Sequence, residues 1–392
     1  MDVKNPVSRR SFMGSAAAAV GLLGVRPGSL WSQTRGAAPA AARARTTTAE
    51  YDAFAKLANN ENPYGPPESV MKAMNYAFKY ANRYGYPDGE ILQAIADHHG
   101  VKTENVLLGA GSGEILEVVG HAFLQGDRKV LGVEPTYNSV YALASGIKAD
   151  AIKLPLRGDY TQDIPLMVKT ARANYRDIGF VYLVNPNNPT GVVVPKGDVK
   201  QLLDGIPEDL PVLIDEAYHH FVEDPNYATS VPYVLEGRPV IIARTFSKIS
   251  ALAAMRLGYA VAPKPLIDAM RPYSVASINA LVKWGGAAAL KDPAAMEHVK
   301  RVNNDLRRKT VAELKALGYE SIPSECNFFM LHIKRPVVPV IAAFRERGVL
   351  VGRPFPPMTE HLRVSVGTPE EMDRFMVAFK DIFNPGRGTA AQ

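Results

Sequence analysis

Lysine, aspartate, tyrosine, asparagine and arginine recur in this chain just after apolar runs, the places where an open α/β sheet binds its ligands. Arg244-Thr245-Phe246-Ser247-Lys248 follows the run Val240 to Ala243, and Arg256 stands eight residues beyond the lysine. Asp215-Glu216-Ala217-Tyr218 follows Val212 to Ile214, and Asn185-Pro186-Asn187-Asn188-Pro189-Thr190-Gly191 follows Phe180 to Val184. Gly109-Ala110-Gly111-Ser112-Gly113-Glu114 precedes a helical stretch from Ile115 to Phe123. A glycine-rich turn ahead of a helix is a generic anion site. Taken singly, the other three segments have structural explanations: Asn-Pro-Thr-Gly makes a good turn, an Asp at a strand end caps a helix, and a Ser-Lys pair lies at a surface. Their combination and order within about 150 residues point instead to one site that joins an anion grip to an amine and a carboxylate.

The elements that must position these residues are legible as well. Apolar runs of four to eight residues, among them Lys129 to Val133 and Gly258 to Val261, alternate with longer helical stretches and show no internal repeat. Near-continuous Val, Ile, Leu and Ala without polar alternation predicts strands buried on both faces of a largely parallel sheet, an α/β architecture. A long charged helix from Ala294 to Leu317 is expected to lead into a smaller carboxy-terminal domain. The organisation read from the chain is a leader at 1–40, a linker at 41–50, an amino-terminal segment at 51–80 packing on the small domain, a large domain at 81–290, a small domain at 291–385 and a tail at 386–392.

The 392 residues are 47% hydrophobic and 21% charged, enough for two domains with real cores. The formal charge of +6 is concentrated at the start. Residues 1–45 hold seven Lys and Arg against one acid, which leaves 38 of each sign in the remainder. A neutral body argues against nucleic acid as a partner. A single cysteine, Cys326, excludes an intrachain disulfide and a metal site built on several thiolates, and no metal is expected. Ser8-Arg9-Arg10-Ser11-Phe12-Met13-Gly14, a short Ala- and Gly-rich run to Val25 and the A-x-A pattern at Ala38-Pro39-Ala40 resemble a twin-arginine export signal. That reading implies passage through the export machinery to the periplasm, with a cytoplasmic location as the alternative.

Further segments accompany the first four: Asn60-Glu61-Asn62-Pro63-Tyr64-Gly65-Pro66, Tyr86-Pro87-Asp88, Glu134-Pro135-Thr136-Tyr137, Cys326-Asn327-Phe328 and Leu362-Arg363-Val364-Ser365-Val366-Gly367-Thr368. With them the chain resembles, from about Asn59 to Phe383, the fold type I aminotransferases that depend on pyridoxal 5'-phosphate (PLP), and within these the histidinol-phosphate aminotransferase branch. The resemblance implies a large domain with a mostly parallel sheet flanked by helices, plus a smaller α+β domain. It implies that Lys248 holds the cofactor as a Schiff base and moves the substrate's proton, and that Asp215 keeps the ring nitrogen charged. Tyr218 and Asn188 would hydrogen-bond the cofactor's phenolic oxygen, and Tyr137 would stack on the ring. Backbone N–H groups of Ser112 and Gly113, the Ser247 hydroxyl and Arg256 would hold the phosphate. Tyr86 would reach the phosphate of a neighbouring subunit, making a homodimer with shared active sites.

Arg363 would clamp the substrate's acidic group, a carboxylate or, in the histidinol-phosphate branch, a phosphate, with Asn188, Asn62 and Tyr64 as further substrate contacts. Two departures stand out. Gly113 occupies a position where many relatives have Asp, and Arg353 lies near a second family arginine but is displaced by Gly352. The implied reaction is ping-pong transfer of an amino group between an L-amino acid or histidinol phosphate and a 2-oxo acid. A carbon-sulfur lyase or an amino-acid phosphate decarboxylase would share every cofactor residue. A catalytically silent member of the fold is disfavoured by the presence of both Lys248 and Asp215. The cytoplasmic setting of histidine biosynthesis and the export-like leader point in different directions.

Overall fold

A computed structural model describes residues 47–275 and 277–383. The expected leader at 1–40, most of the linker and the tail at 386–392 lie outside the described residues. In chain order, β1 (Ala55–Leu57) is followed by seven strands that form one sheet: β2 (Val106–Gly109), β3 (Lys129–Glu134), β4 (Ala151–Pro155), β5 (Ile178–Val184), β6 (Val212–Asp215), β7 (Val240–Thr245) and β8 (Gly258–Val261). Their order is β2-β8-β7-β6-β5-β3-β4. All run parallel except β8, which is antiparallel to both of its neighbours. The connection from β7 to β8 contains no helix, so the chain returns directly instead of making the crossover that a parallel pair needs. Strands β5 to β8 are buried along their whole length, as strands covered on both faces must be.

Alternation of side chains divides the strands between two apolar layers. Leu183, Ile214 and Ile242 pack with the helices Ile91–His99, Ile164–Ala173, Lys196–Gly205 and Ala280–Leu290. Phe180, Leu213 and Ile241 pack with the helices Ser112–Phe123, Ser139–Gly146 and Lys264–Met270 on the opposite face. Because β2, β5, β6 and β7 point the same way, the four chemistry-bearing segments leave one edge of the sheet together.

The helix expected over Ala294 to Leu317 spans Pro293–Ala316 and leads to β9 (Ser321–Ile322), β10 (Phe328–His332), β11 (Val349–Val351) and β12 (His361–Ser365). Strands β12, β10 and β9 form an antiparallel sheet, and its core of Phe329, Leu331, Leu362, Phe344, Phe375 and Phe379 lies under the helices Val337–Glu346 and Pro369–Phe383. The segment 51–80, expected to pack on this carboxy-terminal part, divides between two layers. Strand β1 pairs in parallel with β11, whereas Val70 and Met74 of the helix Glu68–Ala77 join the core of the seven-stranded sheet. The apolar face of that helix fits the Ala- and Gly-rich helix Ala280–Leu290, which is why it leaves the smaller layer.

Candidate active site

At the carboxyl edge of the large sheet lies a pocket of about 220 Å³ lined by Ser112, Gly113, Tyr137, Asn188, Asp215, Tyr218, Ser247, Lys248 and Arg256, nine residues singled out in the sequence. It adjoins a second space of about 210 Å³, with which it shares Asn59, Tyr137, Asn188, Tyr218 and Lys248, and which adds Arg353, Phe355 and Arg363. The register explains the convergence. Val184 stands opposite Asp215 and Asp215 opposite Ala243, so the residues following β5, β6 and β7 emerge side by side.

Asp215 is 3% exposed and accepts one hydrogen bond, from the Ala217 N–H at 3.1 Å. Burial pushes its carboxyl up to about 7, against the opposing pull of that N–H and of Lys248. Lys248 is half-buried, and its Nζ donates to the Asn59 carbonyl at 3.1 Å. Burial, with Arg363 adding to it, pushes the amine down to about 8, toward the neutral form that a nucleophile requires. The Tyr218 hydroxyl receives hydrogen bonds from Asn60 Nδ2 at 3.0 Å and Asn188 Nδ2 at 3.4 Å, and burial raises its pKa.

The anion grip is built by close backbone approach. The helix Ser112–Phe123 starts at the pocket, and the Glu114 carboxylate ties down the turn before it by accepting the Ala110 N–H at 2.6 Å. Arg256 reaches across this turn, donating to the Ala110 carbonyl at 3.2 Å and the Ser247 hydroxyl at 3.4 Å. A Cβ on Gly111 would lie 2.0 Å from Arg256 Nη2, and one on Gly258 would lie 2.2 Å from the Ser112 nitrogen. Glycine at both positions lets the guanidinium, the hydroxyl and the helix start face one small volume. A Cβ on Gly113 would meet nothing within 4 Å, so no packing constraint dictates the missing side chain there.

Arg363, buried on β12, donates to Asn188 Oδ1 at 2.9 Å and to the Ala58 carbonyl at 2.6 Å. Its Nε is buried with no hydrogen-bond partner among the described residues, and burial lowers its pKa to about 10. Arg353, displaced by Gly352 in the sequence, nevertheless lines the same space. The guanidinium carbons of Arg353 and Arg363 stand 4.4 and 4.7 Å from the ring centroid of Phe355. Both guanidinium groups therefore lie within cation–π range of the same ring.

Three expected residues lie elsewhere. Asn62 is committed to the Ile249 carbonyl at 2.9 Å and to the Tyr64 N–H at 3.0 Å, and both Asn62 and Tyr64 line a separate small cleft beside Phe221 and Val299. In this chain the two adjoining spaces are lined from that loop by Asn59 and Asn60 instead. Tyr86 lies outside the pocket of its own chain and donates to the Ile278 carbonyl at 2.9 Å. Asn60, which the sequence motifs do not mark as a site residue, lines the second space. Its N–H donates to the Ser365 hydroxyl, which in turn donates to Asn60 Oδ1, each at 2.8 Å, while its Nδ2 serves Tyr218. The Asn59-Asn60 pair just after a short apolar segment was the available signal.

PLP fits this arrangement. Gly111 and Gly258 let Arg256 and the Ser112 N–H come close enough to converge as anion donors, and the buried Asp215 carboxylate lines the same pocket as the Lys248 amine. The chain matches the family profile of aminotransferase class I and II over residues 53–379. It is 34% identical over 334 residues to the histidinol-phosphate aminotransferase of Moorella thermoacetica, covering 83% of this chain and 85% of that one. A solved structure from Erwinia carotovora atroseptica, assigned as a histidinol-phosphate aminotransferase, superposes with a TM-score of 0.79 at 33% identity, covering 84% of this chain and 95% of that one. The histidinol-phosphate aminotransferase of Sinorhizobium meliloti, solved in complex with pyridoxal-5'-phosphate, shares the fold with a TM-score of 0.78 at 23% identity, covering 85% and 91%.

Proposed function

This chain belongs to the class I and II aminotransferases and is a PLP-dependent enzyme of that family, and from that premise we propose that it exchanges an amino group between histidinol phosphate or an L-amino acid and a 2-oxo acid. The observation that carries the substrate reading is the pair of arginines in one space, Arg363 with a buried Nε that has no partner among the described residues and Arg353 beside the same Phe355 ring. Two guanidinium groups suit a substrate with a strongly acidic end, a phosphate above all.

Bound PLP supplies an aldehyde that captures amines and a ring that accepts the electron pair released when the substrate α-proton leaves. Lys248 would be the amine for covalent attachment, and its Nζ would carry that proton as general base, for which a pKa near neutrality is the useful one. Asp215 would hold positive charge on the ring nitrogen, Tyr218 and Asn188 would hydrogen-bond the ring oxygen, and Tyr137 would stack on the ring. Ser112, Gly113, Ser247 and Arg256 would grip the phosphate, while Arg363 would fix the acidic end so that the α-hydrogen faces Lys248. Borohydride reduction of the yellow holoenzyme should place the label on the peptide containing Lys248, and a label on another lysine overturns the assignment. In a screen of amino donors read by loss of the cofactor's visible band, histidinol phosphate should react faster than donors without a phosphate group. Equal rates would remove the phosphate reading.

Two further proposals concern assembly and location. A homodimer is supported by the exposed aromatic residues Tyr64, Tyr76, Phe78 and Tyr84 on one amino-terminal stretch, next to a Tyr86 that lines neither pocket of its own chain. Sedimentation of the holoenzyme as a monomer would refute it. The Arg9-Arg10 leader supports export to the periplasm. Arg9→Lys with Arg10→Lys should strand the protein in the cytoplasm, and an unchanged distribution would reject the signal.

A further inference from the structure

Behind the pocket floor lies a buried polar cluster that the chemistry above does not use. Glu216 follows Asp215 but points to the far side, where it is fully buried. Its Oε2 accepts Arg244 Nε at 3.0 Å, Arg244 Nη2 at 2.6 Å and the Thr229 hydroxyl at 2.9 Å, and its Oε1 accepts the Ser230 N–H at 2.7 Å. Arg244 Nη2 donates to the Thr229 hydroxyl at 2.8 Å as well. The remaining amino group, Nη1, meets His219 Nε2. That contact makes His219 Nε2 an acceptor, and the His220 ring packs against that of His219 with centroids 3.7 Å apart.

The guanidinium thus grips the chain at Glu216 and again at His219. Between these two points lie Ala217, whose N–H holds Asp215, and Tyr218, whose hydroxyl faces the cavity. Arg244 itself sits four residues before Lys248, and the Glu216 N–H donates to the Ala243 carbonyl at 3.0 Å. A surface ion pair would contribute little, but one removed from water with both carboxylate oxygens of Glu216 accepting hydrogen bonds is rigid and costly to disturb.

We propose that Arg244, locked by Glu216 and Thr229, is a positioning residue that fixes Asp215 and Tyr218 relative to Lys248. It touches neither cofactor nor substrate and acts through the backbone segment it brackets. Misplacement of a catalytic group by about 1 Å costs on the order of a hundredfold in rate. The inference rests on Lys248 and Asp215 as the cofactor pair and not on the identity of the amino donor.

The test uses the holoenzyme with Arg244→Lys, which keeps the charge and loses the fork. The wild-type borohydride label must first be found on Lys248, and its absence there rejects the site assignment and this proposal together. With the label in place, Arg244→Lys should bind PLP and lower kcat about 10- to 100-fold, while KM stays within about threefold. The pH midpoint of the cofactor's visible band should move by about half a unit or more, because the distance from Lys248 to Asp215 and Tyr218 has changed. If Arg244→Lys fails to fold, Thr229→Val removes one shared hydroxyl and should show the same pattern at about three- to tenfold in kcat. A variant that melts earlier yet keeps the wild-type midpoint and kcat per folded molecule shows a purely structural role and overturns the proposal.

Discussion

Replacing Asp215 by Asn in the cofactor-free protein should stabilise the fold at neutral pH while crippling the enzyme. The carboxyl is 3% exposed and held up at about 7, against an ordinary value of 3.8, chiefly by burial. The sign follows from linkage: between pH 4 and 7 the folded chain keeps a proton that the unfolded chain has already lost. Each pH unit in that window therefore removes about 1.4 kcal/mol from wild-type stability, and above pH 7 the loss levels off at about 4 kcal/mol. Asn has no proton to lose, so the gap between variant and wild type should be small near pH 4, widen through pH 5 and 6, and plateau from pH 7. Urea denaturation of both apo-proteins at pH 5, 6, 7 and 8 measures it. The PLP-loaded variant should lose several orders of magnitude in the amino-donor half-reaction, since each 1.36 kcal/mol of lost stabilisation is tenfold in rate. A gap that does not grow with pH would mean that Asp215 is ionised at no cost, and the account of a carboxylate awaiting a cationic partner would be wrong.

Arg363→Lys should raise KM about tenfold or more while leaving the cofactor spectrum unchanged, because one ammonium cannot replace bonds to Asn188, Ala58 and a substrate acid at once; steady-state kinetics with histidinol phosphate checks this. His99 is pushed down to about 3 by burial, aided by Arg244 and His98, so its contribution to stability is intact above pH 6.5 and lost as the pH falls from 6.5 toward 3. His99→Gln should flatten the acid limb of the urea stability profile by up to about 1.4 kcal/mol per pH unit. Gly113→Ala, at a helical position with open space around the new methyl, should stabilise the protein by about 0.5–1 kcal/mol in thermal unfolding without weakening PLP binding, since the backbone donor remains.

The cofactor half of the site was legible in the chain because its positions are tied to strand ends. An uninterrupted apolar run such as Val212 to Ile214 has little choice but to be a buried strand, and Asp215 then leaves the sheet where ligands bind. Lys248, Asn188 and Ser112 follow the same rule, and all four meet in one pocket. The substrate half was less legible. Asn60, Asn62 and Tyr64 share one polar loop, and which of them faces the cavity depends on where Ser365 and the Ile249 carbonyl capture their amides, contacts 305 and 187 residues away in sequence. Arg353 looked displaced by an extra glycine, yet stacking on Phe355 returns its guanidinium to the side of Arg363.

Arg244 and Glu216 read as two ordinary charges near strand ends until the β6–β7 register places them on the same buried face. The sequence by itself determined the elements, the cofactor chemistry and the family, because apolar periodicity and motifs are local. Tertiary structure alone decided which polar side chains share a cavity and which lock its floor, because desolvation and hydrogen-bond partnership are properties of groups that the chain brings together from far apart.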